Sequence, residues 1–356
     1  MDKQIASWME RHNVPGLAAC VAKGHRIVWS GGYGMASLAK GIPFTPDQTL
    51  FQIASISKTI TATAVMQLRD KGLFSLDDDV GSFLRFPVRN PRHPDRPITF
   101  RQLLTHTSSL DEGEALYATY AAGDPTRSLE EAMTRYFTAG SSRWRRDCYC
   151  RHAPGAREEY SNAGYALLGY LVEVISGQSL EDYLQQNVYA PLRMNETSFY
   201  LAKLNCEKHA LPYTYTRTLK RKLCPGDGDG NLLPKGASPK VGYNEHALYS
   251  YPTLADGMVR TSVCQLANFM IAMMNEGRFE GRQLLKEETV KEMLSGQGIG
   301  WCRSGEYWGH DGGDPGCETE LLLNPKTKVG FIIFANAEAE LKPVRTILKA
   351  RAAEQS

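Results

Sequence analysis

The sequence predicts an α/β plus all-α fold: an antiparallel sheet flanked by helices, built from both chain ends, with a mainly helical domain inserted between them. Three observations predict it. Strand-like runs stand near the N-terminus, at 17–22 and 26–30, and again near the C-terminus, at 318–324 and 328–335. Between the two sets the apolar period becomes helical. A closing helical pattern, 340–353, follows the last strand. A sheet shared by the two ends must enclose what lies between. The expected division is therefore 1–54 with 245–356 as a discontinuous sheet domain and 55–244 as the insert, with a site at the seam.

In order, residues 3–12 read as an amphipathic helix that stops before Pro15-Gly16. The two N-terminal strands follow, turned by Lys23-Gly24-His25. Gly31, Gly32 and Gly34 resemble a phosphate loop, but no helix begins after them, so they read as a strand packed closely against a neighbour. A helical pattern runs from Ser55 to Lys71, with Ile60, Ala64, Val65 and Leu68 on one face and Gly72 as its C-cap. Then come the acidic Asp77-Asp78-Asp79, a Pro-rich loop over 87–97, and a short helix capped by Thr99. His106 reads as a residue tying a loop to the backbone. Residues 111–158 read as mainly helical, with the basic loop Arg143-Trp144-Arg145-Arg146 as a solvated loop near a cleft. Two helices are expected around 165–175 and 180–188, long loops with short strands over 203–250, a strand edge at 257–261, and a helix over 262–275 ended by Gly277.

Composition excludes several classes. The chain has 356 residues, 42% hydrophobic and 22% charged, which suits a globular protein. A net charge of +2 gives no footprint for nucleic acid or a membrane surface. No apolar stretch is long enough to span a bilayer, and the N-terminus lacks the apolar core of a secretory signal, so a cytoplasmic protein is expected. Eight cysteines occur without a C-x-x-C pair. Cys20 and Cys264 lie in apolar surroundings and read as buried thiols. Cys148 and Cys150 flank Tyr149 in a polar loop, as free thiols or a redox pair. No metal or organic cofactor is implied.

The chemistry-bearing stretches are three. Ser55 and Lys58 are i and i+3 on a helix start, so a hydroxyl and an amine share one face where backbone N–H groups and the helix dipole favour negative charge. A desolvated lysine can take the serine proton and make it a nucleophile. Tyr160-Ser161-Asn162 places a phenol and an amide two residues apart; a phenol near an ammonium ionises more easily, and the amide can bond both a lysine and a substrate. Tyr307-Trp308-Gly309-His310-Asp311-Gly312-Gly313 stands just before a strand, and its small residues let substrate lie along the backbone.

Taken together, S-x-x-K, then Y-x-N about a hundred residues on, then a basic residue-x-G near the C-terminus, the chain resembles the serine β-lactamase and penicillin-binding-protein superfamily. The resemblance spans nearly the whole chain and is greatest to the class C β-lactamase and esterase (family VIII-like) branch. It implies that Ser55 is the acylated nucleophile, Lys58 its partner base, and Tyr160 a general base or proton relay. Asn162 would position Lys58 and substrate, His310 would stand for the third motif's basic residue, and the N–H groups of Ser55 and Gly313 would form the oxyanion hole. Two departures bear on substrate. Penicillin-recognising members usually carry Lys where His310 stands, and a largely neutral His weakens the case for an anionic β-lactam. Asp311 replaces a hydroxyl residue; it pairs with His310, repels acidic substrates, or turns away along the strand.

The function expected is a serine hydrolase acting on a small-molecule ester or amide through an acyl-enzyme. The alternatives are an acyltransferase passing the acyl group to an amine or alcohol, a D-amino-acid peptidase, and a catalytically silent scaffold.

Overall fold

In a computed structural model of the chain, residues 1–112, 119–138, 140, 148–218 and 232–354 are described. Seven antiparallel strands form the main sheet: β1 (Gly16–Lys23), β2 (Arg26–Ser37), β3 (Ile42–Pro43), β4 (Cys302–Ser304), β5 (Tyr307–Asp314), β6 (Cys317–Asn324) and β7 (Val329–Ala335). Their order is β4-β5-β6-β7-β1-β2-β3. The C-terminal meander meets the N-terminal hairpin where β7 pairs β1, Leu17 opposite Ala335 and Lys23 opposite Val329. The sheet is thus built from both chain ends, as the pattern predicts.

Alternation along β1 explains the layers. Leu17, Ala19 and Val21 face one side, and Ala18, Cys20 and Ala22 the other. The first set packs under α1 (Asp2–His12) and the C-terminal helix α7 (Lys342–Glu354), through Ile5, Trp8, Val344 and Leu348. The second set meets α6 (Val263–Met274) and merges with the large core around α2 (Ser57–Asp70). All residues of α2 from Ser57 to Leu68 are buried, so this helix runs through the centre of the protein rather than along its surface.

Local signals account for most element ends. Asn13 closes α1 at φ 55, and Gly72 closes α2 at φ 75 with its N–H bonded to the carbonyl of Arg69. Thr99 and Gln102 form a full capping box on α3 (Phe100–Leu104). Ser161 caps α5 (Asn162–Ser176), and Ser262 caps α6.

Three expectations need correction. Residues 111–158 are not mainly helical where described: α4 (Leu129–Phe137) is the helix there. Residues 148–155 spend their backbone bonds on an earlier loop instead, Cys150 N–H to the Ser109 carbonyl and Gly155 N–H to that of Thr107. The basic loop 143–146 and Cys224 lie outside the described residues. The stretch 307–313 does not precede a strand but is one, β5, with Trp308 opposite Leu323 and Asp314 opposite Cys317. Its three glycines hide the strand from a propensity reading. Cys20, Cys148, Cys150 and Cys317 are buried free thiols, whereas Cys264 is only partly buried.

Candidate active site

The turn that carries Ser55 sits where the sheet meets α2. Phe51–Gln52 pairs antiparallel with Arg260–Thr261, and Ile53 N–H bonds the Val259 carbonyl. The chain then folds sharply: Ala54 takes φ 44, uncommon for a residue with a Cβ, and a single 3₁₀ turn, Ala54–Ile56, precedes α2. The helix proper therefore begins at Ser57, two residues beyond the serine expected to open it. Strain at such a point is the kind held in place by surroundings that serve a site. Here β5 supplies them. Gly312 lies so close that a Cβ on it would fall 2.5 Å from the Ile53 carbonyl oxygen and 3.0 Å from the Ala54 Cβ.

Ser55 Oγ accepts a hydrogen bond from Lys58 Nζ at 2.9 Å. Lys58 is fully buried and also donates to the Asp256 carbonyl at 2.6 Å. Its Nζ lies 5.0 Å from the ring centre of Tyr160 and 5.8 Å from that of Tyr165. Burial brings the Lys58 pKa down to about 8, against the pull of Asp256, Glu112 and Asp314. At neutral pH about a tenth of the amine is then free to accept a proton.

The Tyr160 phenol stands near the Ser55 side chain, which eases its ionisation slightly. The residue is partly exposed, yet desolvation of the phenol pushes it well above its ordinary range. The expectation that a neighbouring ammonium ionises this phenol is therefore corrected: desolvation and the nearby acids raise it, and Tyr160 rests protonated. His106 does tie a loop to the backbone. Its Nδ1 accepts from the Ser161 N–H at 3.0 Å, its carbonyl accepts from the Glu159 N–H, and its ring stacks on Tyr160 at 4.4 Å. Burial and the nearby Lys58 bring its pKa down to about 3, so it stays neutral.

Asn162 lies beside the site in the first turn of α5, with its N–H bonded to Glu112 Oε1 at 2.8 Å. Its side-chain amide makes no hydrogen bond among the described residues; the Asp256 carbonyl takes the place expected of it at Lys58. His310 is buried 6.2 Å from Tyr160, ring centre to ring centre. Its Nδ1 stands 2.6 Å from the Asp311 carbonyl, so Nδ1 carries the proton and Nε2 is the acceptor. Burial and Lys58 bring its pKa down to about 4. It therefore supplies no positive charge at neutral pH.

Asp311 does not join the cleft. One residue from His310 on a strand, it faces the opposite side, exposed, and sits opposite Glu320 in the ladder. Asp314, four residues from His310 and on its side of the strand, comes to the site instead. Its Oδ1 accepts from the Tyr120 hydroxyl at 2.7 Å, and its Oδ2 is buried without a partner among the described residues. Burial raises Asp314 to about 7, Glu112 to about 7 and Asp256 to about 6. These three acids, missed by motif reading, surround Lys58. The strand parity of Asp314 with His310 is the signal that could have found it. Asp256 and Glu112 leave no such mark.

Gly313 follows Gly312 on β5. The neighbouring strand β4 stops with Cys302 opposite Gly309, so among the described residues β5 has no strand partner on that edge from His310 onward. An open edge beside Ser55 can receive an extended substrate by backbone hydrogen bonds.

A sheet of this order enclosing a Ser-Lys-Tyr cluster at a buried helix defines the serine β-lactamase and penicillin-binding-protein class. The β-lactamase family model matches residues 1–355, and the chain belongs to that family. It is 26% identical over 353 residues to the protein Flp of Staphylococcus aureus, covering 96% of this chain and 64% of that protein's length. A penicillin-binding protein from Bacillus halodurans superposes with a TM-score of 0.72 at 24% identity, over 97% of this chain and 98% of that one. The D-amino acid amidase of Ochrobactrum anthropi, solved with L-phenylalanine, superposes with a TM-score of 0.78 at 21% identity over the full length of both chains. Among the described residues no helix is long and apolar enough to cross a membrane.

Proposed function

We propose that this chain is a serine hydrolase that acylates Ser55 with a small amide or ester and releases the acyl group to water. The observation that carries this is Lys58: a fully buried amine 2.9 Å from the serine hydroxyl, with its pKa near 8. Neutral Lys58 takes the Ser55 proton as Oγ attacks the carbonyl carbon. The N–H groups of Ser55 and Gly313 receive the oxyanion. Tyr160, protonated and near Ser55, gives its proton to the leaving group and regains one from Lys58. Water then attacks the acyl carbon by the same route in reverse. Asn162 borders the leaving-group side.

The substrate carries a free amine. Asp314, Glu112 and Asp256 make the lining acidic, and neutral His310 offers an acceptor rather than a cation. That favours a cationic group over the carboxylate of a penicillin. The fold likeness to a D-amino acid amidase agrees with this reading. The same lining also suits an amine as acyl acceptor, so acyl transfer is the second reading.

The test is intact-mass analysis after incubation with D- and L-amino acid amides, their N-acetylated forms, simple activated esters and a penicillin, with and without an added amine. The expected result is one acyl adduct on Ser55, turnover of the free-amine amides, and poor turnover of the penicillin. Efficient penicillin hydrolysis with no response to the amine would overturn the substrate reading, and an unmodified Ser55 would overturn the mechanism. A product bearing the added amine would select acyl transfer.

A further inference from the structure

A second cluster lies behind the segment that carries Tyr160. One ligand atom each from Cys150, His152 and Glu159 lie within 4.8 Å of one another. The histidine is already set for a further partner. Its Nδ1 is placed against the Ala153 carbonyl at 3.2 Å, which assigns the proton to Nδ1, and its Nε2 is buried with no partner among the described residues. A buried ring nitrogen without a partner calls for an occupant.

The backbone around the three residues is tied down. The buried Asn90 amide donates to the Cys150 carbonyl at 2.9 Å, and Arg92 donates to that of Tyr149 at 2.8 Å. Cys150 N–H bonds Ser109 and Glu159 N–H bonds His106. Glu159 Oε2 meets the exposed Arg157 at 2.7 Å, which leaves its other oxygen available.

We propose that Cys150, His152 and Glu159 form a zinc site that staples the Tyr160 segment. A thiolate, an imidazole and a carboxylate are a donor set that suits a borderline-soft divalent ion, with water in the fourth position. Tetrahedral zinc places its ligand atoms about 3.4–3.8 Å apart, so side-chain rotations of about 1 Å close the site. On binding, the Cys150 S–H bond breaks, the S–Zn bond forms and the proton passes to solvent; no oxidant is needed. The ion's two positive charges are balanced by thiolate and carboxylate. Glu159 directly precedes Tyr160, and His106 holds the one by hydrogen bond and the other by stacking, so the ion braces the phenol's position.

The test uses the full chain, freed of metal by a chelator and titrated with zinc by calorimetry and with cobalt by absorption. One equivalent of zinc is expected to bind at micromolar concentration or tighter and to raise the melting temperature. Cobalt is expected to give a thiolate charge-transfer band. Both signals are lost in Cys150→Ser and in His152→Ala, the second keeping the reading secure should the buried cysteine variant fold poorly. They persist when the exposed Cys206 and Cys302 are both changed to serine. Absence of the cobalt–thiolate band in the folded wild type, or binding that survives both Cys150→Ser and His152→Ala, would overturn the site.

Discussion

At the scale of single residues, function and stability pull against each other at Lys58. Its ammonium loses its hydration in a buried pocket, which shifts the pKa from 10.5 to about 8 and costs the fold about 3 kcal/mol below that pH. Between about 8 and 10.5 the unfolded chain binds more protons than the folded one, so this cost fades as pH rises through that window. Lys58→Met is expected to abolish turnover while raising stability by about 1–3 kcal/mol at pH 7, and by less at pH 10. Thermal melts at the two pH values check it. Tyr160→Phe removes one hydroxyl and is expected to lower kcat by about 10²–10⁴-fold, the range of general acid–base catalysis, with the melting temperature nearly unchanged. Near-normal turnover would assign proton transfer to Lys58 alone. Ser55, Lys58 and Tyr160 are legible in the sequence because their spacing carries chemistry. Asp256 and Glu112 are not, since one ends a single 3₁₀ turn and the other lies in irregular chain, and only tertiary folding brings them near Lys58. Asp311 misled because a charge inside a motif attracts a role that the alternation of the strand denies it.

At the scale of elements, the joint between β5 and the turn that carries Ser55 decides whether the site holds its shape. Gly312 is there for close approach: a methyl would meet Thr319 Oγ1 at 2.4 Å as well as the Ile53 carbonyl. Gly312→Ala is expected to cost about 1–3 kcal/mol and most of the activity, as overpacking displaces the turn. Gly313→Ala, whose nearest contact is Glu318 Oε2 at 3.6 Å, is expected to fold normally and keep its backbone N–H. Paired measurements of melting temperature and kcat/KM separate the two. The contrast also shows where sequence reading falls short. Capping residues and helix periods reveal α2, α5 and α6, because those signals are local. β5 escapes detection because its glycines are chosen by tertiary contact, not by strand propensity. Residues 148–155 escape for a related reason, their bonds being made to a loop some forty to sixty residues earlier in the chain.

At the scale of the whole molecule, two chain ends close one sheet over a buried helix, and three acids gather around Lys58 on that helix. A net charge of +2 gives no hint of that local field, which arises because folding gathers Glu112, Asp256 and Asp314 around one lysine. An amine-bearing amide is expected to be turned over about 10–100-fold better than its N-acetylated form, and Asp314→Asn is expected to erase most of that preference. The preference grows as pH rises through about 7, where Asp314 ionises. Specificity assays with matched substrate pairs read this directly. Activation of Ser55 by a neutral, buried Lys58 is read from the rate of Ser55 acylation by an activated ester, followed by intact mass as a function of pH. The account predicts a single adduct on Ser55, a rate that climbs with pH to a plateau with its midpoint near 8, and no adduct in Lys58→Met. A rate independent of pH across that range, or acylation of Lys58→Met at the wild-type rate, would contradict it.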